Sequence, residues 1–549
     1  MASYLGLRGA SLNVAIGSVA ACCFILFGYD QGDIGTLLTV PSFLREFPEV
    51  DTFNNPGVGY NARIQGIMVA SWNIGCFISA ILAIWLGDIL GRRKTIFVGL
   101  FIMGIGEIIQ ASSYSLGQFI AGRVIAGFGN GFNTSTIPAW HAECCKAHRK
   151  GTVLMISAGS SIALGVALSQ WIGFGFAYLE PSSASWRVPI AIQLVLPVII
   201  LAVIMLLPES PRWLILKGRE DEALNALAAL NDLPRNDPEV FSEFIAIKDA
   251  VLQMAAASPS GLFKMNEYRD AHRTVLAYCI QIFQQATGIN LIVQYIALIL
   301  LQQTRYSGWV ARLLAACNGT EFFLASFIAV VGIDRFWGRR SLMMFGASGM
   351  CISMIIITVL RFLDNRGENI AATVFYFVFN TFFAIGWQGM AWLYTVEIVP
   401  LRIRGPANAL STSANWIVNF IVVLITPIAF NNIGYRTYII FAVFNAAIIP
   451  LVYFFYPETA YRSLEEVDAI FYAVAKSPRP WLSAVSIARE HPLWYGKNGE
   501  GMGDYEQSEW HQRILQTQKE KPSEDSAFSS SSGGNYPSPP EQRDVGTAF

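Results

Sequence analysis

The sequence predicts an all-α membrane protein of twelve transmembrane helices, arranged as two six-helix halves with a cytoplasmic helical linker. Three observations lead there. Of the 549 residues, 53% are hydrophobic and 14% charged, whereas ordinary soluble domains are about 25% charged. The apolar residues are gathered into runs long enough to cross a bilayer, because ~30 Å of hydrocarbon at 1.5 Å per residue takes about 20 residues. Three polar motifs also recur at nearly one offset, which is the mark of a duplicated half.

The expected spans are 12–35, 64–86, 95–114, 118–140, 152–177, 188–207, 273–301, 309–332, 342–361, 370–396, 407–430 and 436–456. An unpaired peptide group in hydrocarbon costs several kcal/mol, so only helices or closed barrels cross, and runs of this length select helices. The first run, Leu12 to Tyr29, ends in Asp30-Gln31-Gly32 rather than a small-residue cleavage site, so it reads as a helix and not as a cleaved leader. The sequons at Asn133 and Asn318 fall within spans and carry no topological information. The eight cysteines lie mostly in apolar stretches and in no metal-ligand spacing, so they read as small buried hydrophobes.

Cationic residues collect in alternate connections: Arg92-Arg93-Lys94, Lys146 with Arg149-Lys150, Arg212 with Lys217 and Arg219, then Arg335 with Arg339-Arg340, and Arg402 with Arg404. The positive-inside rule places these loops and both termini in the cytoplasm. Arg361 and Arg366 depart from that bias.

The repeat is carried by Asp88…Gly91-Arg92-Arg93 against Asp334…Gly338-Arg339-Arg340, an offset of 247 from Gly91 to Gly338. Pro208-Glu209-Ser210 returns as Pro457-Glu458-Thr459, 249 residues on, and Glu143…Lys150-Gly151 as Glu397…Arg404-Gly405, 254 residues on. The halves are therefore 1–207 and 273–456, with a helical linker at 208–272 and a cytoplasmic tail at 457–549. Beyond Lys476 the hydrophobic period fades into a Ser-, Gly- and Pro-rich end, expected to be disordered because it buries too little apolar surface to offset ordering entropy.

Ionisable groups inside a membrane are costly and point to function. Asp30 in the first span and Arg123 in the fourth form a candidate proton switch: paired they neutralise each other, and unpaired the acid takes a proton. A static ion pair joining two helices is the alternative. Glu107 and Glu321 also fall in or near spans, with no role assigned. The seventh span carries Gln281, Gln284, Gln285, Asn290 and Gln294, interrupted by Gly288. The first three share one helical face, and turned to lipid they would strand donors and acceptors in hydrocarbon, so they should line a wet interior. Neutral amides both donate and accept, which suits hydroxyl groups; interhelical amide bonding is the alternative.

Gln170, Asn318, Asn415 and Asn419 continue the theme in other spans, and Trp392 offers a flat face to the C–H side of a ring. The Gly127-Phe-Gly129-Asn-Gly131 series lies inside a span, so it reads as close helix packing and not as a dinucleotide loop. A net charge of −1 with no concentrated basic surface argues against a nucleic-acid partner, and no nucleophile–base, zinc or phosphate-loop arrangement points to an enzyme or a cofactor.

Together the motifs resemble the sugar porter family of the major facilitator superfamily, over about residues 12 to 475. The matching stretches are Gly87-Asp88…Gly91-Arg92-Arg93, Arg123…Gly127, Pro208-Glu-Ser-Pro-Arg212-Trp-Leu, Gln284-Gln285-Ala-Thr-Gly288-Ile-Asn290 and Pro457-Glu-Thr459…Ser463-Leu-Glu-Glu466. Phe27–Gln31, Ala384–Tyr394 and Ile403–Phe420 look most like fungal members, including sugar and glycerol proton symporters.

The resemblance implies the major facilitator fold, a sugar or polyol as solute, protons as the coupled ion, a monomer, and the plasma membrane. It implies a central site from Gln170, Gln284, Gln285, Asn290, Asn318, Trp392 and Asn415, with coupling by Asp30 and Arg123. It implies cytoplasmic ion-pair networks from Asp88, Arg92, Arg93, Glu143, Lys150, Glu209 and Arg212, matched by Asp334, Arg339, Arg340, Glu397, Arg404 and Glu458. The chain departs from the pattern at Lys150, where arginine is usual, in one extra residue of the second Asp…Gly-Arg-Arg loop, and at Gln388 and Thr395 beside Trp392. A facilitative uniporter and a non-transporting sensor signalling through the tail are the alternative readings.

Overall fold

The computed structural model describes residues 4–52, 59–144, 155–238, 240–241, 243–245, 247–248, 262–333, 337–400, 403–462 and 464–492. Nearly all of these residues belong to the compact unit Met1–His491; of the second unit, Pro492–Phe549, only Pro492 is described. Among the described residues, twelve long helices form the body of the first unit: α1 (Gly9–Leu37), α2 (Gly59–Leu90), α3 (Arg92–Ala111), α4 (Leu116–Cys144), α5 (Ile156–Leu179), α6 (Ala184–Ile204), α7 (Asp270–Gln302), α8 (Gly308–Gly332), α9 (Arg339–Leu363), α10 (Arg366–Ile398), α11 (Arg404–Ile433) and α12 (Thr437–Phe455). No strand occurs among the described residues.

Among the described residues, ten helical stretches are long and apolar enough to cross a membrane. The longest, Arg404–Phe455, has 52 residues, which as one rod would reach roughly 78 Å, more than twice the hydrocarbon thickness. It turns at Gly434, whose φ of +54° suits glycine, and so supplies both α11 and α12. α4 completes the twelve. Its more polar composition is accommodated because Arg123, Asn130, Asn133, Thr134, Ser135 and Thr136 are all buried within the bundle. On the outer faces large apolar side chains stand open, with Val198, Val331, Ile352 and Val443 each more than half exposed. In water such a surface is a liability, whereas hydrocarbon satisfies it.

The packing repeats between halves. α3 lies on α4 and α1 on α5, and correspondingly α9 lies on α10 and α7 on α11. The halves meet where α1 touches α7, α2 touches α11 and α5 touches α8. Small residues permit the close approaches: a Cβ on Gly127 would stand 2.0 Å from the Trp72 carbonyl oxygen, one on Gly131 2.4 Å from that of Cys76, and one on Gly129 2.3 Å from that of Gly99. Gly127 and Gly131 thus press on α2 and Gly129 on α3, which is the packing reading of this series.

Short helices decorate one end. Pro211–Leu216 and Glu220–Asn231 follow α6; the first packs on α4 and the second touches the start of α1, where Asn13 Nδ2 donates to the Leu230 carbonyl at 3.2 Å. Leu464–Ala475 and Pro480–Glu490 follow α12. The second of these lies past Lys476, where the sequence reads as losing its period. Its buried face consists of Ala484 and Ala488, too small to register as an apolar stripe, and Arg462 Nη2 fastens it by donating to the Ala488 and His491 carbonyls at 2.6 and 2.8 Å.

Candidate functional site

α7 is the most enclosed of the apolar spans: 94% of its apolar stretch is buried, while no other such span exceeds 61%. Its amides therefore face the interior and not lipid. The helix breaks at Thr287-Gly288, where Gly288 has φ +90° and a Cβ would stand 2.6 Å from the Phe441 ring. The break turns Ile289 and Asn290 toward a small cavity of about 20 Å³ between the halves. Its polar lining is Gln31 from α1, Gln284, Gln285 and Asn290 from α7, Gln388 and Trp392 from α10, and Asn415 from α11; Phe27, Ile162, Ile289, Val293, Phe322 and Phe383 complete it.

Hydrogen bonds hold these amides in place. Gln284 Nε2 donates at 3.0 Å to the carbonyls of both Trp387 and Gln388. Those carbonyls are available because α10 opens into a π-turn at Ala384–Gln388, which breaks the regular i→i+4 ladder. Asn415 Nδ2 donates to Gln281 Oε1 at 2.7 Å and Gln284 Oε1 at 2.9 Å, leaving Asn415 Oδ1 buried with no partner in the protein. Gln285 Nε2 reaches Gln284 Oε1 at 3.4 Å, and Asn290 Nδ2 donates to Gln285 Oε1. Trp392 is buried, its ring held edge-on by Phe24 with centroids 6.2 Å apart.

Five of the seven expected solute residues thus converge on one cavity. Gln170 and Asn318 belong to a second polar patch at the contact of α5 with α8. There Asn380 Nδ2 donates to Asn318 Oδ1 at 2.8 Å, and Gln170 Oε1 packs against Gly319, buried without a partner. Asn380 was not picked out by the sequence reading, although an amide in mid-span was the available signal.

The same turn of α1 that sends Gln31 into the cavity sends Asp30 the other way, into the first half. Arg123 of α4 is the cation acting on it, yet neither Asp30 oxygen has a hydrogen-bond partner; Arg123 Nη2 donates instead to the Val69 carbonyl at 3.2 Å. Two further acids lie here. Asp33, which the sequence reading overlooked, is buried with its Oδ2 facing Gln193 Nε2 of α6 at 3.5 Å, and Glu107 of α3 is fully buried with both oxygens unpartnered. Glu321 lies elsewhere, in a lateral groove with Trp171 and Thr381, accepting from Thr381 Oγ1.

At the linker end the motifs form two matching caps. Glu209 Oε1 accepts from the backbone N–H of Arg92 at 3.0 Å and of Ser210 at 3.0 Å, while its Oε2 accepts from that of Arg93 at 3.2 Å. Burial pushes the Glu209 carboxyl above its ordinary range, partly offset by these N–H groups and the Arg93 charge. Glu458 accepts from the N–H of Arg339 at 2.8 Å and of Arg340, Thr459 and Ala460 at 3.1 Å each. Each carboxylate thereby satisfies free N–H groups at the positive end of a helix, α3 or α9.

The guanidinium groups then reach α4 and α10: Arg92 Nε lies 3.4 Å from Glu143, and Arg339 Nη2 lies 3.0 Å from Glu397. Arg93 and Arg340 also donate to the carbonyls of Leu207 and Tyr453. Arg404 makes its hydrogen bond to the Val399 carbonyl at 3.4 Å, within electrostatic reach of Arg212 and Glu143 of the other half. Lys150, Asp334 and the Asp88 side chain lie outside the described residues.

At the opposite end the halves are joined directly. Arg312 Nη1 donates to the Thr39 carbonyl at 3.0 Å, Gln302 Nε2 to Thr52 Oγ1 at 3.0 Å, and Trp309 Nε1 to the Tyr178 hydroxyl.

Two six-helix halves, meeting along α1–α7, α2–α11 and α5–α8 around a buried amide cavity, define a transporter of the major facilitator class. The xylose symporter XylE of E. coli, solved with 6-bromo-6-deoxy-D-glucose, has this fold: the TM-score is 0.73 at 24% identity, over 84% of this chain and 100% of that one. Residues 16–471 match the family described as "Sugar (and other) transporter", and the chain belongs to that family. "Sugar transporter STL1" of Saccharomyces cerevisiae is 35% identical over 511 residues, covering 92% of this chain and 89% of the relative. "High glucose sensor RGT2" of the same yeast is 30% identical over 497 residues, covering 87% of this chain and 63% of the sensor. The family is one of transporters and not of enzymes.

Proposed function

We propose that the chain carries a sugar or polyol together with protons across a membrane by alternating access of its two halves. The observation that carries this reading is the turn of α1 in which Gln31 lines the amide cavity while the adjacent Asp30 faces Arg123. Solute and proton sites on one helical turn are coupled by its movement. Neutral amides with spare capacity, such as Asn415 Oδ1, match hydroxyl groups and ask for no counter-charge. The names of the sugar-transporting relatives support the same solute class.

In this reading Gln284, Gln285, Asn290, Trp392 and Asn415 bind the solute. Gln170 and Asn318 join them when the halves part at α5 and α8. Asp30 and Arg123 take and release the proton. The caps at Glu209 and Glu458, with the Arg92–Glu143 and Arg339–Glu397 pairs, brace the linker end, which faces the cytoplasm by its cationic clusters. Lys150, Asp88, Asp334, Arg212 and Arg404 belong to the same cytoplasmic set. The protein acts as a monomer, with both termini cytoplasmic, in the plasma membrane. Uptake of a labelled sugar or glycerol panel by cells expressing the chain, with and without a protonophore, tests it. Uptake indifferent to the proton gradient would leave a facilitative uniporter, and solute binding without uptake would leave a sensor.

A further inference from the structure

We propose that Asp33 is a second proton-binding carboxyl, linked to Asp30 through the shared Arg123, so that the pair and not Asp30 alone sets the pH dependence of transport. The inference rests on the proton-coupled reading above and assigns it a second residue.

Residues three apart on a helix share a face, so α1 presents Asp30 and Asp33 to the same surroundings. Asp30 is 1% exposed and Asp33 3%. The titratable and charged groups around them are Tyr29 of α1, Cys76 of α2, Glu107 of α3, Arg123 of α4 and Tyr295 of α7, and α6 contributes the neutral Gln193. Arg123 is the cation among them and acts on both aspartates, whereas Glu107 interacts with Asp30.

Hydrogen bonding leaves the same imbalance. Both oxygens of Asp30, Oδ1 of Asp33 and both oxygens of Glu107 are shielded from solvent without a partner, and Arg123, itself 4% exposed, has an unpartnered Nε. Three ionised carboxyls against one guanidinium would bury two uncompensated charges, and a buried carboxylate without a partner takes a proton from water instead. One carboxylate at a time can use Arg123. Glu107 acts on Asp30, but the carboxyls that act on Arg123 are Asp30 and Asp33, and these two compete for it.

That competition has a size. Side chains one turn apart have Cβ atoms about 5–6 Å from each other, and at an effective dielectric of about 20 two such charges interact by roughly two pH units. Groups coupled this strongly titrate as a pair. Removing Asp33 should leave Asp30 sole use of Arg123 and free of a like-charged neighbour, so it keeps its charge to lower pH.

The test is labelled-solute uptake against external pH in proteoliposomes for wild type, Asp33→Asn and Asp33→Glu. Asp33→Asn should still accumulate solute, with the alkaline limb of its curve moved one to two pH units toward acid, roughly. Asp33→Glu, which keeps a carboxyl, should hold the wild-type limb to within about half a unit. An Asp33→Asn curve that superimposes on wild type overturns the proposal. Should that variant fail to reach the membrane, Asp33→Ser is read by the same criterion. Wild-type uptake without any response to pH or protonophore would instead defeat the symport reading, and is seen before any variant is compared.

Discussion

Replacing Asn415 by leucine separates solute binding from scaffolding within one side chain. Its Nδ2 is already committed to Gln281 and Gln284, at 2.7 and 2.9 Å, while its buried Oδ1 has no protein partner. The free oxygen is available to a solute hydroxyl, and such a neutral hydrogen bond contributes about 0.5–1.5 kcal/mol, or roughly 2- to 13-fold in affinity. Leucine also leaves Gln281 Oε1 without its donor, at about 1–3 kcal/mol, while Gln284 Oε1 keeps Gln285 Nε2. That second cost falls on the empty and the loaded protein alike. It should appear as a lower unfolding midpoint in detergent and not in the KM. The expected result is a KM for labelled solute raised about tenfold, with counterflow still measurable. A folded Asn415→Leu protein whose KM stays within twofold of wild type would refute the placement of Oδ1 against the solute.

Asp30→Asn should abolish accumulation while exchange of solute continues; one proton crossing about 100 mV supplies roughly 2.3 kcal/mol, so up to about fiftyfold accumulation falls to none. Retained accumulation in this variant would remove Asp30 from coupling. Glu458→Gln replaces the carboxylate that accepts two backbone N–H groups at the start of α9 and two from Thr459 and Ala460, and should lower stability by about 2 kcal/mol in a thermal unfolding assay. An unchanged midpoint would mean that cap is dispensable. Gly127→Val should give no monodisperse protein on size exclusion, because the first added carbon would meet the Trp72 carbonyl at 2.0 Å.

Much of this architecture is legible in composition, because hydrocarbon admits few alternatives to the helix. The expected spans stop a few residues short at several ends. α3 and α9 start at Arg92 and Arg339, since a helix continues into its charged caps after the apolar run has ended. The α7 amides were visible because amides in mid-span are conspicuous, and the same rule would have found Asn380; Asp33, an acid two residues from the end of the expected span 12–35, falls outside that rule. Other features leave no trace in hydropathy. Buried Arg273 of α7 meets Asp468 at 2.5 Å and the Ile398 carbonyl at 2.6 Å, partners far apart along the chain and unconnected by any local pattern. Nor does spacing reveal whether Asp30 and Arg123 touch; in the structure they act on one another without a hydrogen bond.

The wide turn at Ala384–Gln388 fixes the angular phase of everything after it. One residue added to or taken from a helix rotates the following stretch by roughly 100°. Below this turn, α10 points Trp392 at the cavity, Tyr394 at the Pro457 carbonyl and Glu397 at Arg339. A single-residue deletion there would mis-aim a ring, a hydroxyl and a carboxylate together, although none of the three had been altered. Length in this short segment is therefore held under tighter constraint than the identity of its side chains.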